Sequence, residues 1–202
     1  LPTGSDISLP WHLRLPKALE KDFRLYFRAS VAKVAPGAFL LIGILLACAM
    51  LVESVVGDEI IAHSWRPRLF TLMITGGCLL LARNPRGREW LHPATLTLGL
   101  AIASTGNYLG YTISHPLSYT FFLHTPIAVI MICTLIRVPF YQALGGSLIM
   151  IGALGVTLFM DPSRVEFEPL TLMLVTLAFS SMSLFGQYVY ERLLRQHFLS
   201  EH

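Results

Sequence analysis

Charge is what this sequence has least of. Lys, Arg, Asp and Glu make up 13% of the 202 residues, about half of the roughly 25% usual in globular chains. A soluble enzyme and a disordered tail both need more solvated surface than that, so both are excluded. Cysteine is also scarce. Cys48, Cys78 and Cys133 each lie in an apolar run, at spacings that suit neither zinc nor a redox pair. A secreted disulfide scaffold is therefore excluded, and the three read as small hydrophobic residues. The chain has no metal-binding aspartate pair and no phosphate loop, so its residues carry no catalytic motif. Nothing near the start resembles a signal peptide. Leu1 stands where a methionine would, and Leu1 to Ser5 read as a processing remnant. The expectation is a piece of a longer protein.

Apolar residues are what the chain has in excess. They reach 54%, with a mean hydropathy of +0.62, and they come in long unbroken blocks. A bilayer-spanning helix needs roughly 20 of them, so six spans fit. The blocks run from about 34 to 56, 69 to 82, 93 to 113, 117 to 136, 140 to 160 and 170 to 190. A barrel strand would alternate instead. The fold class expected is thus all-α, a polytopic six-helix membrane bundle with antiparallel neighbours. Residues 1–30 form a cytoplasmic segment with an amphipathic helix, 31–190 the bundle, and 191–202 the start of a cytoplasmic helix.

Orientation follows from the basic residues. Arg14, Lys17, Lys21, Arg24, Arg28, Lys33, Arg83, Arg86, Arg88, Arg137, Arg192 and Arg195 fall on one side. Arg66, Arg68 and Arg164 fall on the other, with Glu53, Asp58, Glu59, Asp161, Glu166 and Glu168. Both termini are expected in the cytoplasm. The basic residues follow topology, so no nucleic-acid partner is expected. No carboxylate is expected within a span, with Glu53 at the end of the first, and a coupled transporter would lack its usual group.

Polar residues at membrane depth suggest a site. Asn107, Tyr111 and His115 share a face of the third span, and Tyr119 and His124 lie on the fourth across a short turn. They either bound a pocket for a small hydrophobic ligand or bridge helices. The spacing Gly106-xxx-Gly110 favours close packing at the same place. Haem b needs axial histidines at matching depth on different spans. Only His124 lies well inside one, which argues against haem, and no metal or other cofactor is expected.

Two stretches flank the bundle. Leu15, Leu19, Phe23 and Phe27 recur at helical spacing among basic residues, as in a helix lying in the membrane interface. That helix is either an anchor or a contact for the chain's own output machinery. Beyond the sixth span, Val189, Leu193, Leu194, Phe198 and Leu199 trace a stripe like the start of a coiled-coil seam. Ser180, Ser183, Gln187 and Glu191 make a polar line beside it. Ser183, Gln187, Glu191, Leu194 and Phe198 are accordingly candidates for signal transmission and for a homodimer seam.

The run LRLPKALEKDFRLYF (Leu13 to Phe27) and the exit SSMSLFGQYVYERLLRQHFL (Ser180 to Leu199) resemble the two ends of a family of six-span membrane input domains. These precede bacterial diguanylate cyclases (GGDEF proteins) and class III adenylate cyclases. The resemblance implies a dimeric sensory domain in the bacterial inner membrane, feeding its own C-terminal cytoplasmic output domain. The lipid bilayer, a second copy and that output domain are then the partners. Other classes consistent with the composition are a small transporter or channel subunit and a haem-binding redox anchor.

Overall fold

The computed structural model describes residues 13, 15–56, 58–113, 119–160 and 169–201, with the side chains of Ala18, Val56, Asp58, Glu59 and Tyr119 left out. The regular elements among them are all helical. They are α1 (Lys17–Val56), α2 (Asp58–Arg83), a 3-10 turn (Pro85–Trp90), α3 (Leu91–Thr112), α4 (Tyr119–Phe122), α5 (His124–Ile130) closed by a π turn (Met131–Leu135), α6 (Phe140–Met160) and α7 (Pro169–Glu201).

Three helices are long and apolar enough to cross a membrane, in the stretches Leu19–Val55, Phe140–Met160 and Pro169–Glu201, and Thr120–Leu135 is a shorter apolar helical stretch. Large hydrophobic side chains stay exposed along them, among them Leu45, Val55, Leu148, Phe159, Met182 and Phe185. Soluble monomers rarely expose apolar surface on this scale. At 26 and 22 residues, α2 and α3 are also long, but polar residues dilute them. Those residues point inward: Ser64, Arg68, Thr71 and Thr75 on α2, and His92, Thr95, Thr105 and Asn107 on α3, are all buried.

The first helix departs from expectation. The amphipathic stretch and the first span were expected as separate pieces, yet α1 is one helix of 40 residues that runs through Pro36. At 1.5 Å per residue it is about 60 Å long, roughly twice the apolar core of a bilayer. Its basic N-terminal part therefore projects beyond the apolar part, and so does the C-terminal part of α7. The two projections pack together. Leu15, Phe23 and Phe27, the stripe expected against lipid, are buried by protein. Phe23 meets Phe198 edge-on at 5.6 Å, and Tyr26 lies 5.6 Å from the same ring.

Two glycines are required by close approach. A Cβ at Gly106 would lie 2.4 Å from the His124 Cβ and 2.5 Å from the Phe121 carbonyl oxygen, and one at Gly87 would lie 2.5 Å from the Leu81 carbonyl oxygen. Gly106 thus lets the α4–α5 turn press onto α3, the close-packing reading of Gly106-xxx-Gly110. Gly87 lets the 3-10 turn fold back on the end of α2, where the Asn84 side chain accepts from the Arg86 N–H at 3.0 Å.

Candidate functional site

Two charged centres lie inside the chain, about 50 Å apart along α1 at its helical rise. The first joins α1, α2 and α5. Glu53 is 7% exposed and Arg68 only 2%. Arg68 donates to Glu53 Oε1 through Nε, at 3.2 Å, and through Nη2. Its Nη1 lies 2.9 Å from Nε2 of His124, and His124 Nδ1 lies 2.7 Å from the Phe121 carbonyl oxygen. A carbonyl only accepts, so Nδ1 carries the proton. Nε2 is then the lone pair that accepts from Arg68, since guanidinium only donates. The geometry selects the neutral Nδ1–H tautomer. Both ring nitrogens are occupied, which leaves no lone pair for an axial bond to iron.

This centre corrects two expectations. Glu53 is a buried carboxylate within a helix, not a loop group, so that objection to a transporter falls. Arg68, expected in an outer loop, sits instead in the third turn of α2, fully covered. Glu53 Oε2 has no hydrogen-bond partner among the described residues. Beside this centre, Thr71 and Thr105 meet at 3.0 Å and join α2 to α3.

Of the five residues expected around one pocket, the described residues place Asn107 and Tyr111 on one cleft and His124 apart from it. Asn107 is buried and its Oδ1 accepts from Thr125 Oγ1 at 3.2 Å. With Tyr111 it lines a cleft of about 370 Å³ whose other wall includes Ala153, Thr157 and Met160 of α6. His124 turns away from that cleft, toward α1 and α2. His115 and the Tyr119 side chain lie outside the described residues. His124 finds its partner, Arg68, on α2.

The second centre ties α7 to α1 and to the start of α6. Arg195 donates to Glu191 Oε1 through Nε (3.0 Å) and Nη2 (2.7 Å). It also donates to Glu20, through Nη1 to Oε2 (2.7 Å) and through Nη2 to Oε1 (3.3 Å). Its guanidinium lies 4.1 Å from the centre of the Phe23 ring. The other oxygen of Glu191 accepts from the Phe140 N–H at 2.7 Å, capping the first turn of α6, where backbone donors have no helical partner. One turn earlier, Gln187 Nε2 donates to the Val138 carbonyl at 2.7 Å.

Electrostatics at Glu20 are set by two opposing effects. Burial raises its pKa, but the hydrogen bond and charge of Arg195 outweigh that, helped by the Leu15 N–H and Arg24. The carboxyl therefore stays below the usual carboxylate range. Glu20, Phe27, Arg28, His92, Gln142 and Arg195 line one cavity of about 190 Å³. That brings the N-terminal ends of α1, α3 and α6 and the C-terminal end of α7 to one end of the bundle.

Gln187, Glu191 and Phe198 were expected on a seam between two copies. They are 2%, 2% and 1% exposed within a single chain, and Leu194 packs half-buried against the same core. Ser183 is half-buried and donates to the Phe179 carbonyl of its own helix at 2.9 Å. The polar line finds partners in the same chain through Ser183, Gln187 and Glu191, while Ser180 Oγ has none among the described residues. The line grips the α5–α6 connection, where Arg137 has φ +55°, a conformation uncommon outside glycine. The Arg137 guanidinium lies 4.1 Å from the centre of the Tyr190 ring.

Glu20, Arg68 and Arg195 were not singled out as site residues from the sequence, and Glu53 was named only as a carboxylate at the end of the first span. A charged residue at the edge of an apolar block was the available signal for Glu53, and the Glu191–Arg195 spacing of one turn was the signal for Arg195. Comparison with protein-family models, with curated proteins and with solved structures finds no match.

Proposed function

We propose that this chain is the membrane-embedded regulatory input domain of a nucleotide-cyclase signalling protein. In this reading α1, α2, α3, the α4–α5 segment, α6 and α7 are six spans of a bacterial inner-membrane domain. Both ends lie in the cytoplasm, and α7 leads to the output domain. The observation that carries it is the Glu20–Arg195–Glu191 centre. The two stretches that resemble the ends of cyclase input domains, Leu13 to Phe27 and Ser180 to Leu199, touch there through Arg195 on Glu20 and Phe198 on Phe23. An exit helix held at its root by the bundle can move when the bundle changes state.

A route for that change runs through α5. His124, at its start, contacts Arg68, and the segment after its π turn is held by Gln187 and Glu191 of α7. A π turn can interconvert with α-helix by a local register change and is frequent at functional sites. Two bundle states that differ there would place α7 differently, and a signal need only favour one of them. With two copies, the exit helices would then set the spacing of two output domains.

The test is an assay of the protein as expressed from its own gene, in membrane vesicles, for conversion of GTP or ATP to cyclic nucleotide. Formation of cyclic di-GMP or cyclic AMP is expected. Formation of neither, with the protein intact by mass, would contradict the proposal.

A further inference from the structure

A cavity of about 310 Å³ lies between α1 and α5, lined by Ile42, Leu45, Leu46, Ala49, Ile102, Ile127, Ile130, Met131 and Leu135, with Arg68 and His124 as its polar members. Leu45 and Ile127 are exposed, as is Leu135, so the cavity communicates with the apolar exterior. It has room for on the order of ten groups of about 30 Å³ each. That is the size of a single medium-length hydrocarbon chain.

Arg68 makes this more than an apolar gap. Of its five N–H donors, two are used by Glu53 and one by His124. Two donors have no acceptor among the described residues, on a side chain 2% exposed. Its charge is already matched by Glu53 and His124 is neutral by its hydrogen bonds. A second anion here would be buried without a counter-charge, at high cost. An uncharged oxygen acceptor would complete the guanidinium with no net charge.

We propose that this cavity binds a single-chain lipophile whose head is an uncharged hydrogen-bond acceptor, a carbonyl or hydroxyl oxygen, held by Arg68. The chain lies along α1 toward Met131 and Leu135, in the π turn. Occupancy would press on the turn whose far side α7 grips. That consequence rests on the proposed signalling role, whereas binding itself does not.

The test uses the chain in lipid nanodiscs and a long-chain methyl ketone carrying a mid-chain diazirine. Photolabelling is expected on peptides containing Ile42–Ala49 and Ile127–Leu135. Methyl undecyl ketone should displace the label at about 10-fold lower concentration than tridecane, the worth of one hydrogen bond to a charged donor. Ala49→Phe, which fills the cavity and leaves Arg68 in place, should abolish the displaceable label. Equal displacement by tridecane would mean that acyl chains enter without head recognition, and better displacement by dodecanoate would mean an anionic head. Either result overturns the proposal, as does labelling that Ala49→Phe leaves unchanged. Displaceable labelling in a protein whose output never responds to the ketone would keep the site and remove its signalling role.

Discussion

Arg68 and Glu53 show what a buried ion pair asks of its two members. Removing one member of a buried ion pair leaves the other without a partner, at about 3–5 kcal/mol. Arg68→Met should therefore lower the melting temperature in detergent sharply. The double variant Arg68→Met with Glu53→Gln should recover most of that loss, because no uncompensated charge remains. A double variant as unstable as the single would show that packing, not charge, is what Arg68 supplies. Gly106→Ala is the second residue-scale case. Its Cβ would meet a backbone oxygen at 2.5 Å, and overpacking of this kind costs about 1–3 kcal/mol. The same melt should register the loss, and a neutral outcome would mean that the α4–α5 turn yields without cost.

Elements explain where sequence reasoning succeeded and where it stopped. Hydrophobic blocks located α1, α6 and α7, because continuous apolar runs have few alternatives to a buried or lipid-facing helix. The polar line on α7 was also legible, because helical spacing fixes which residues share a face. The groups that cover that face were not. Gln187 and Glu191 bind backbone groups of the α5–α6 connection, and backbone acceptors and donors leave no trace in side-chain patterns. What the projecting part of α1 contacts stayed open for a related reason. Its amphipathic stripe suits lipid or protein equally, and Phe198 happens to be there. Two predictions belong at this scale. Gln187→Leu strips the Val138 carbonyl of its donor, at about 1–3 kcal/mol, and should speed hydrogen exchange in residues 136–143. The α1–α7 contact should also depend on pH. The Glu20 pKa is depressed in the folded chain, so its contribution is present above the usual carboxylate value of about 4.3. It is lost as pH falls through the depressed value. Spin labels on residues 21 and 192 should separate on acidification in that window in the native sequence. They should not respond there in Glu20→Gln.

At the scale of the whole molecule, the proposed signalling role requires mechanical continuity. One centre, Glu53–Arg68–His124, holds the start of α5, and another, Gln187 and Glu191, holds the segment beyond its π turn. Helix ends gather around Glu20, His92 and Arg195, and the basic residues were read for orientation alone. They could not foretell the buried Arg68, since a topology rule treats every cation as a loop cation. The most direct measurement is the distance distribution between spin labels at Lys21→Cys and Arg192→Cys, both exposed positions. Cys48, Cys78 and Cys133 would be replaced by alanine, with the chain in nanodiscs, and the distribution compared with and without His124→Leu. A shifted or broadened distribution in the His124→Leu chain is predicted, because losing the acceptor of Arg68 releases α5 and with it the grip on α7. Superimposable distributions, with Gln187→Leu shifting its own, would contradict continuity through α5.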